Sequence, residues 1–314
     1  MKKTLLILHS LLTAEMEQLE QHFNLIRLYK EPDPEAAIRE NKDNIVGIVS
    51  SYTTPVKKSL IEVLPNLEII SNFAVGVDNI DLNFAVRRNI VVTNTPDVLS
   101  DETADTGMAL MLILSKRAVE ADMFVRVGQW RQGRTFPLGA TLKGKTLGIV
   151  GLGRIGKSVA RKAKAFDMRV LYQGRNEQPE QPYEYVSELK DLAQRSDYLM
   201  LTCPGGEATK EIVNLDILQA LGSKGFLINI ARGSVVKEED LLIALSNKNI
   251  AGAGLDVYLN EPNVPEAFMK MDNVVLLPHI GSATFETRTM MGQLVVGNIL
   301  AHFNAKPLLS QYKL

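Results

Sequence analysis

The sequence predicts an α/β protein built from two doubly wound, mostly parallel sheets, and three observations carry that prediction. Short apolar runs alternate with helical stretches along almost the whole chain. At 314 residues the chain exceeds the roughly 100–200 residues typical of one domain. A glycine-rich loop, Gly151 to Gly156, follows an apolar run and opens a helix-compatible segment.

The elements follow in order. Strands are expected at Thr4 to Leu8, Leu25 to Leu28, Ile45 to Ser50, Leu67 to Asn72 and Ile90 to Thr93. Helices are expected between them, near Thr13 to His22, Pro34 to Lys42, Val56 to Val63 and Leu82 to Arg88. The turn-like Thr93-Asn94-Thr95-Pro96 then leads into a long helix from Ser100 to Leu114, capped by Ser100 or Asp101, which reads as a crossover between domains. A second series begins at Lys145 and runs to about Ser282. Its strands are Thr146 to Val150, Met168 to Tyr172, Gly225 to Ile230, Gly252 to Val257 and Val274 to Leu277, with a helix over Lys157 to Phe166. Phe285 to Phe303 has apolar residues at helical spacing and is expected to return to the first domain. Residues 1–99 and 285–314 would then form one domain, and 100–284 a second inserted into it, with the cleft between two domains as the default ligand site.

Composition narrows the function. The 35 basic and 36 acidic side chains give a net charge of -1, so no excess positive field exists for nucleic acid or an anionic membrane. The longest apolar run, Met108 to Leu114, is far short of the ~18 residues of a membrane span. Lys2 and Lys3 before Thr4 to Leu8 resemble the start of a signal peptide, but His9 and Ser10 interrupt the apolar stretch and a first buried strand explains it better. Cys203 is the only cysteine, which excludes an intrachain disulfide and a four-thiolate metal site and fits a reducing, cytoplasmic compartment. No metal is expected.

Gly151-Leu152-Gly153-Arg154-Ile155-Gly156 is a dinucleotide fingerprint in its strand-to-helix setting. Gly151 allows the tight turn, Gly153 lets backbone approach a pyrophosphate, and Gly156 lets helix and strand pack closely. The next strand ends in Tyr172-Gln173-Gly174-Arg175, without the carboxylate that would hold the ribose of NAD. Arg175 could instead grip a 2′-phosphate, which favours NADP, with NAD as the second choice. Further on, Arg232 follows a parallel strand in Asn229-Ile230-Ala231-Arg232-Gly233, where a forked guanidinium can hold the carboxylate of a 2-oxo acid and polarise its carbonyl. Glu261 follows the next strand and His279 the one after. An arginine, a glutamate and a histidine on three successive strand ends are what hydride transfer to a carbonyl requires, with His279 as the proton donor.

Several further motifs agree with these: Phe73-Ala74-Val75-Gly76-Val77-Asp78, Gly254-Leu255-Asp256-Val257 with Glu261-Pro262, and Leu277-Pro278-His279-Ile280-Gly281-Ser282. With these the whole chain resembles the D-isomer-specific 2-hydroxyacid dehydrogenase family, most of all its glyoxylate, hydroxypyruvate and hydroxyphenylpyruvate reductases. The resemblance implies a flavodoxin-like substrate domain beside a Rossmann domain, NADPH-dependent reduction of a small 2-oxo acid to a D-2-hydroxy acid, and a homodimer. It implies Arg232 on the substrate carboxylate and carbonyl, His279 as acid and base, and Glu261 as the residue that orients His279. The Val75 and Gly76 amides, with Ser51, would bind substrate from the first domain. Thr103, Gly151, Gly153, Arg154, Ile155, Gly156, Arg175, Cys203, Pro204, Thr209, Ala231, Asp256, His279 and Gly281 would line the dinucleotide, with Asp256 at its nicotinamide end. Gly205-Gly206-Glu207 departs from the Leu-Thr-Pro common in relatives, and Glu177 or Gln178 replaces a second basic residue near the 2′-phosphate, so the NADP preference is expected to be moderate. Tyr52 and the segment Trp130 to Phe136 are candidates for shaping the substrate pocket. Two other functions fit parts of the pattern: a dinucleotide-sensing corepressor-like regulator, and a dehydrogenase of formate or phosphite.

Overall fold

The computed structural model describes residues 2–313. They divide into two compact units, one of residues 2–99 with 283–313 and the other of residues 100–282.

The first unit contains strands β1 (Thr4–Ile7), β2 (Asn24–Arg27), β3 (Ile45–Ser50), β4 (Ile69–Asn72) and β5 (Val91–Thr93), joined by helices α1 (Thr13–His22), α2 (Pro34–Asn41), α3 (Lys58–Glu62) and α4 (Leu82–Arg87). All neighbouring strands are parallel and the order is β2-β1-β3-β4-β5, a flavodoxin-like winding. Because helices cover both faces, β1, β3 and β4 are buried on both sides, which is why Leu-Leu-Ile, Ile-Val-Gly-Ile-Val and Ile-Ile read as continuous apolar runs. Asp33 and Asp81 cap α2 and α4 by accepting from the amides of Ala36 and Phe84.

The second unit opens with α5 (Ser100–Lys116) and α6 (Ala118–Arg126). It continues through β6 (Thr146–Val150), α7 (Arg154–Ala165), β7 (Arg169–Gln173), β8 (Glu184–Tyr185), α8 (Leu189–Gln194), β9 (Tyr198–Leu201) and α9 (Leu215–Leu221). The remaining elements are β10 (Phe226–Asn229), α10 (Glu238–Ser246), β11 (Gly252–Leu255), α11 (Glu266–Met269) and β12 (Val274–Leu276). The sheet order β12-β11-β10-β9-β6-β7-β8 is the Rossmann winding with one strand added beyond the sixth. Two apolar layers sandwich it: Leu199, Leu227, Ala253 and Phe268 belong to one, and Met111, Ile149, Met200 and Ile228 to the other. No helix among the described residues is long and apolar enough to cross a membrane.

The final helix, α12 (Phe285–Phe303), packs on α1 and β4 of the first unit. Its Thr284 accepts from the Thr287 amide, so Ala283 and Thr284 go with the helix they cap and the boundary falls two residues before the expected 285. Beyond it the tail adds to the free edge of β5, with Gln311 bridging Thr93 antiparallel and the Tyr312 amide bonding to the Val92 carbonyl. Asn298, fully buried in α12, holds that tail: its Oδ1 accepts from the amides of Leu309 and Ser310, and its Nδ2 donates to the Ser310 hydroxyl.

The structure corrects several expectations. The long helix begins at Ser100 itself, and Asp101 bonds to Ser158 and Arg161 of α7 instead of capping its own helix. α7 begins at Arg154, so the end of the glycine loop is already the helix's first turn. Val56 pairs with Ile80 in an isolated bridge, which shortens the third helix to five residues. The sequence reading placed no strand between 173 and 225, whereas the two-residue β8 and the four-residue β9 lie there.

Asn298→Ala leaves two amide donors without their acceptor, so the urea midpoint should fall by an amount worth about 1–3 kcal/mol. A midpoint equal to that of the unaltered chain would show that the tail is not held this way.

Candidate active site

The second unit's sheet reverses its winding between β6 and β9, and the loops after those two strands meet there. Gly151 has φ +94°, and a Cβ on it would stand 2.8 Å from the Cys203 amide nitrogen. A Cβ on Gly156 would stand 2.3 Å from the Gly151 carbonyl oxygen, so helix and loop touch through bare backbone. Gly153 is different, because nothing lies within 4 Å of an added Cβ and no side chain caps the α7 amides that follow it. Those amides and that open space fit a pyrophosphate, which needs unpaired N–H donors and no Cβ in the way. Arg154 and Gly153 are exposed, Ile155 packs partly into the core, and Cys203 is buried behind the turn. Burial pushes the Cys203 thiol up to about 11, which leaves it an uncharged packing group. Exposed Pro204 begins a loop that Thr209 closes by donating to the Pro204 carbonyl at 2.7 Å.

Arg175 is exposed two residues past the end of β7, and Gln173 and Gly174 beside it bring no carboxylate. Gln178 folds back, its Nε2 donating to the Leu152 carbonyl at 3.0 Å, so the segment carrying Arg175 is tied to the glycine turn.

Arg232, Glu261 and His279 follow β10, β11 and β12, which are adjacent in the sheet. Asn229 shapes the first of these ends, its Oδ1 accepting from the Ala231 amide and its Nδ2 donating to the Arg232 carbonyl. Ala231 is buried, and Gly233 passes so close to the next strand's exit that a Cβ would fall 1.9 Å from the Tyr258 carbonyl carbon. Glu261 spends Oε1 on the Tyr258 amide at 3.0 Å and places Oε2 2.7 Å from His279 Nδ1. A carboxylate can only accept, so Nδ1 is the donor in that pair.

His279 itself has φ +54°, a left-handed conformation that a side chain rarely takes unless its surroundings impose it. Asp256 imposes it. Its Oδ1 accepts from the Ile280 amide at 2.7 Å and its Oδ2 from the Gly281 amide at 2.9 Å, while Thr103 donates to the Gly281 carbonyl at 2.8 Å. Burial raises the Asp256 carboxyl, and its two amide donors and His279 pull it back. Thr103, Asp256 and Gly281, expected along the dinucleotide, thus have a first duty in holding the histidine loop.

The first unit holds the other expected residues. The Ala74 carbonyl accepts from the Thr95 amide at 2.9 Å, and the Val75 carbonyl from Asn94 Nδ2 at 2.8 Å. In a planar trans peptide the N–H points away from its carbonyl, so the Val75 and Gly76 amides face the opposite way, as a pair. Ser51 is buried at the end of β3, its hydroxyl 2.9 Å from that of Thr53. Asn94, Asn229 and Asp256, which lie in the quoted motifs, do this positioning together with Asn72, which lies in none and donates from Nδ2 to the Gly76 carbonyl at 2.7 Å; a polar residue at the end of a buried strand is the signal they share.

The segment 130–136 is not part of this arrangement: Trp130 is 69% exposed, and Phe136 meets the edge of Phe124 on α6. It borders a cavity of about 1240 Å³ with Lys145, Asp197, Phe226 and Asn273, which precede or begin strands, so this cavity lies at the amino ends of the sheet and not at the strand ends that carry Arg232, Glu261 and His279. No group of three metal-binding side chains occurs among the described residues.

Comparison with known proteins gives a consistent result. Residues 108–281 match the family model described as D-isomer specific 2-hydroxyacid dehydrogenase, NAD binding domain. The chain is 45% identical to a glyoxylate/hydroxypyruvate reductase A of Arabidopsis thaliana, over 93% of each chain. It is 44% identical to a hydroxyphenylpyruvate reductase of Plectranthus scutellarioides, over 94% of each. A solved structure of an NADPH-dependent glyoxylate/hydroxypyruvate reductase from Sinorhizobium meliloti, in complex with NADP and malonate, superposes with a TM-score of 0.91 at 39% identity, covering 99% of this chain and 97% of that one.

Gly156→Ala should lower stability by about 1–3 kcal/mol through overpacking against the Gly151 carbonyl, and should weaken dinucleotide binding with it. Thermal unfolding with and without NADPH measures both; a variant as stable and as well protected as the parent would contradict the close approach.

Proposed function

We propose that this chain, which belongs to the D-isomer-specific 2-hydroxyacid dehydrogenase family, is an NADPH-preferring reductase of small 2-oxo acids of the glyoxylate, hydroxypyruvate or hydroxyphenylpyruvate type. The observation that carries the reading is the 2.7 Å pair of His279 Nδ1 and Glu261 Oε2 on a strand end next to that of Arg232. When bound, the dinucleotide supplies the hydride that reaches the carbonyl carbon.

The residues divide the remaining work. Arg232 pairs with the substrate carboxylate and draws electron density toward the carbonyl oxygen, as a planar permanent cation can. In the first unit, the Val75 and Gly76 amides and Ser51 are the groups suited to bind a carboxylate. His279 Nε2 gives a proton to the oxygen as charge develops on it, and Glu261 keeps the ring in the orientation that presents Nε2. In the reverse direction the same nitrogen removes the proton from the hydroxyl. Gly151, Gly153 and Gly156, with Arg154, Ile155, Cys203, Pro204, Thr209 and Ala231, form the dinucleotide's bed, and Arg175 meets its 2′-phosphate.

The reading includes a homodimer and a cytoplasmic location. Val119, Met123, Val127, Trp130 and Leu138 are all more than half exposed on α6 and the segment after it, apolar side chains that a second copy of the chain could cover. Light scattering should then give twice 34.7 kDa; a monomer at micromolar concentration would contradict it.

Loss of absorbance at 340 nm with NADPH, and separately NADH, against glyoxylate, hydroxypyruvate, 4-hydroxyphenylpyruvate and pyruvate tests the reaction. His279→Ala should lower kcat by roughly 100-fold or more with NADPH affinity retained, the scale of a lost acid catalyst. Near-normal turnover would remove His279 from its role. Arg175→Ala should lower kcat/KM for NADPH by about tenfold while changing NADH little, the worth of one charge-assisted bond. Equal loss with both cofactors would take the 2′-phosphate away from Arg175.

A further inference from the structure

The first sheet carries a group of polar side chains that the reaction above does not use. His9 and Tyr52 follow β1 and β3, the two strands between which the winding of that sheet reverses. Phe73 follows β4. The His9 ring stacks on Phe73 with centroids 5.6 Å apart, and the Arg288 guanidinium lies 5.3 Å from the centroid of the same ring. Arg288 stands in the first turn of α12, where the helix dipole disfavours a cation. It is partly buried, and burial holds its guanidinium below the usual value while Tyr52 acts in the other direction. Among the described residues no carboxylate lies within salt-bridge distance of it. A cation that is desolvated, set against a dipole and given no acid has been placed at a cost to the fold, and groups of that kind collect where a ligand supplies the missing partner.

We propose that Arg288, seated on Phe73 and flanked by His9 and Tyr52, is a specificity-determining residue that receives a hydroxyl group on the carbon next to the carbonyl of the 2-oxo acid. The inference rests on the reading that the Val75 and Gly76 amides hold the acid's carboxylate, since Phe73 precedes that pair by two residues in the same unit. An alcohol is the chemistry that fits. Burial and the nearby Arg288 lower His9, so at neutral pH its ring is uncharged and has both a donor and an acceptor nitrogen. A hydroxyl oxygen can accept from the guanidinium and give its own proton to an uncharged partner, whereas an alkyl side chain would leave the guanidinium desolvated and unpaired.

The full chain with NADPH is assayed on hydroxypyruvate, on 2-oxobutyrate, which carries a methyl where the hydroxyl was, and on glyoxylate, which has no side chain. Wild-type kcat/KM should favour hydroxypyruvate over 2-oxobutyrate by about tenfold or more. In Arg288→Met that ratio should fall to within about threefold, and Arg288→Lys should restore part of it by returning charge without the planar fork. The thermal midpoint of Arg288→Met should equal or exceed that of the wild type, because an unpaired cation has been removed. A wild-type ratio near one, or a ratio in Arg288→Met within about twofold of wild type, overturns the proposal. An equal loss on all three substrates overturns it too, because it would put Arg288 on the carboxylate they share. If Arg288→Met does not fold, the ratio is read in Arg288→Lys and Phe73→Leu, and no change in either has the same meaning. Absence of turnover on every substrate would overturn the reaction itself, whereas turnover of glyoxylate without a hydroxyl preference would overturn only the role of Arg288.

Discussion

Asp256 is 1% exposed at the end of β11, and both of its oxygens accept from the amides of Ile280 and Gly281. A carboxylate so buried must find donors or be neutralised, and the only way these two amides can reach it is for the chain after β12 to turn sharply inward. That turn puts His279 at φ +54° and aims Nδ1 at Glu261. The Thr103 hydroxyl holds the far side of the same loop through the Gly281 carbonyl. The catalytic pair proposed here is thus the outcome of a buried-charge constraint one strand away, and the strain at His279 is offset by three hydrogen bonds that do not involve its own side chain.

The first unit solves a similar problem with neutral groups. Fixing the carbonyls of Ala74 and Val75 with the Thr95 amide and the Asn94 side chain orients two successive N–H groups without any capping helix. Asn94 is in turn tied to the C-terminal tail, its carbonyl accepting from the Ser310 hydroxyl, and Asn298 fixes Ser310. A chain of side-chain amides therefore links the last residues of the protein to the loop after β4. Such a network is worth its desolvation only when its buried members are satisfied, and fully buried Asn298 has both its Oδ1 and its Nδ2 bonded.

The glycine turn, the two windings and the strand-end positions of Arg232, Glu261 and His279 were legible because each rests on local sequence. Glycine where a Cβ would strike backbone, apolar runs where both faces are covered, and short polar loops after strands are properties of a few consecutive residues. β9 was not read as a strand, because an apolar run of only four residues does not by its periodicity distinguish a strand from a buried helix end. Ser100 and Asp101 have the chemistry of helix caps, yet Asp101 was claimed by Ser158 and Arg161, more than fifty residues on.

By itself the sequence determined the α/β class, the family and the identity of the groups able to donate a proton, bind a carboxylate or face a phosphate. Those follow from residue type and from spacing within single loops. The tertiary structure alone decided that Glu261 meets Nδ1 and not Nε2, that Asp256 and Thr103 clamp the histidine loop, and that Arg288 stands beside His9 without an acid. Each of those joins residues from different strands or helices, and which polar group reaches which is set by how the elements pack, a relation no local pattern encodes.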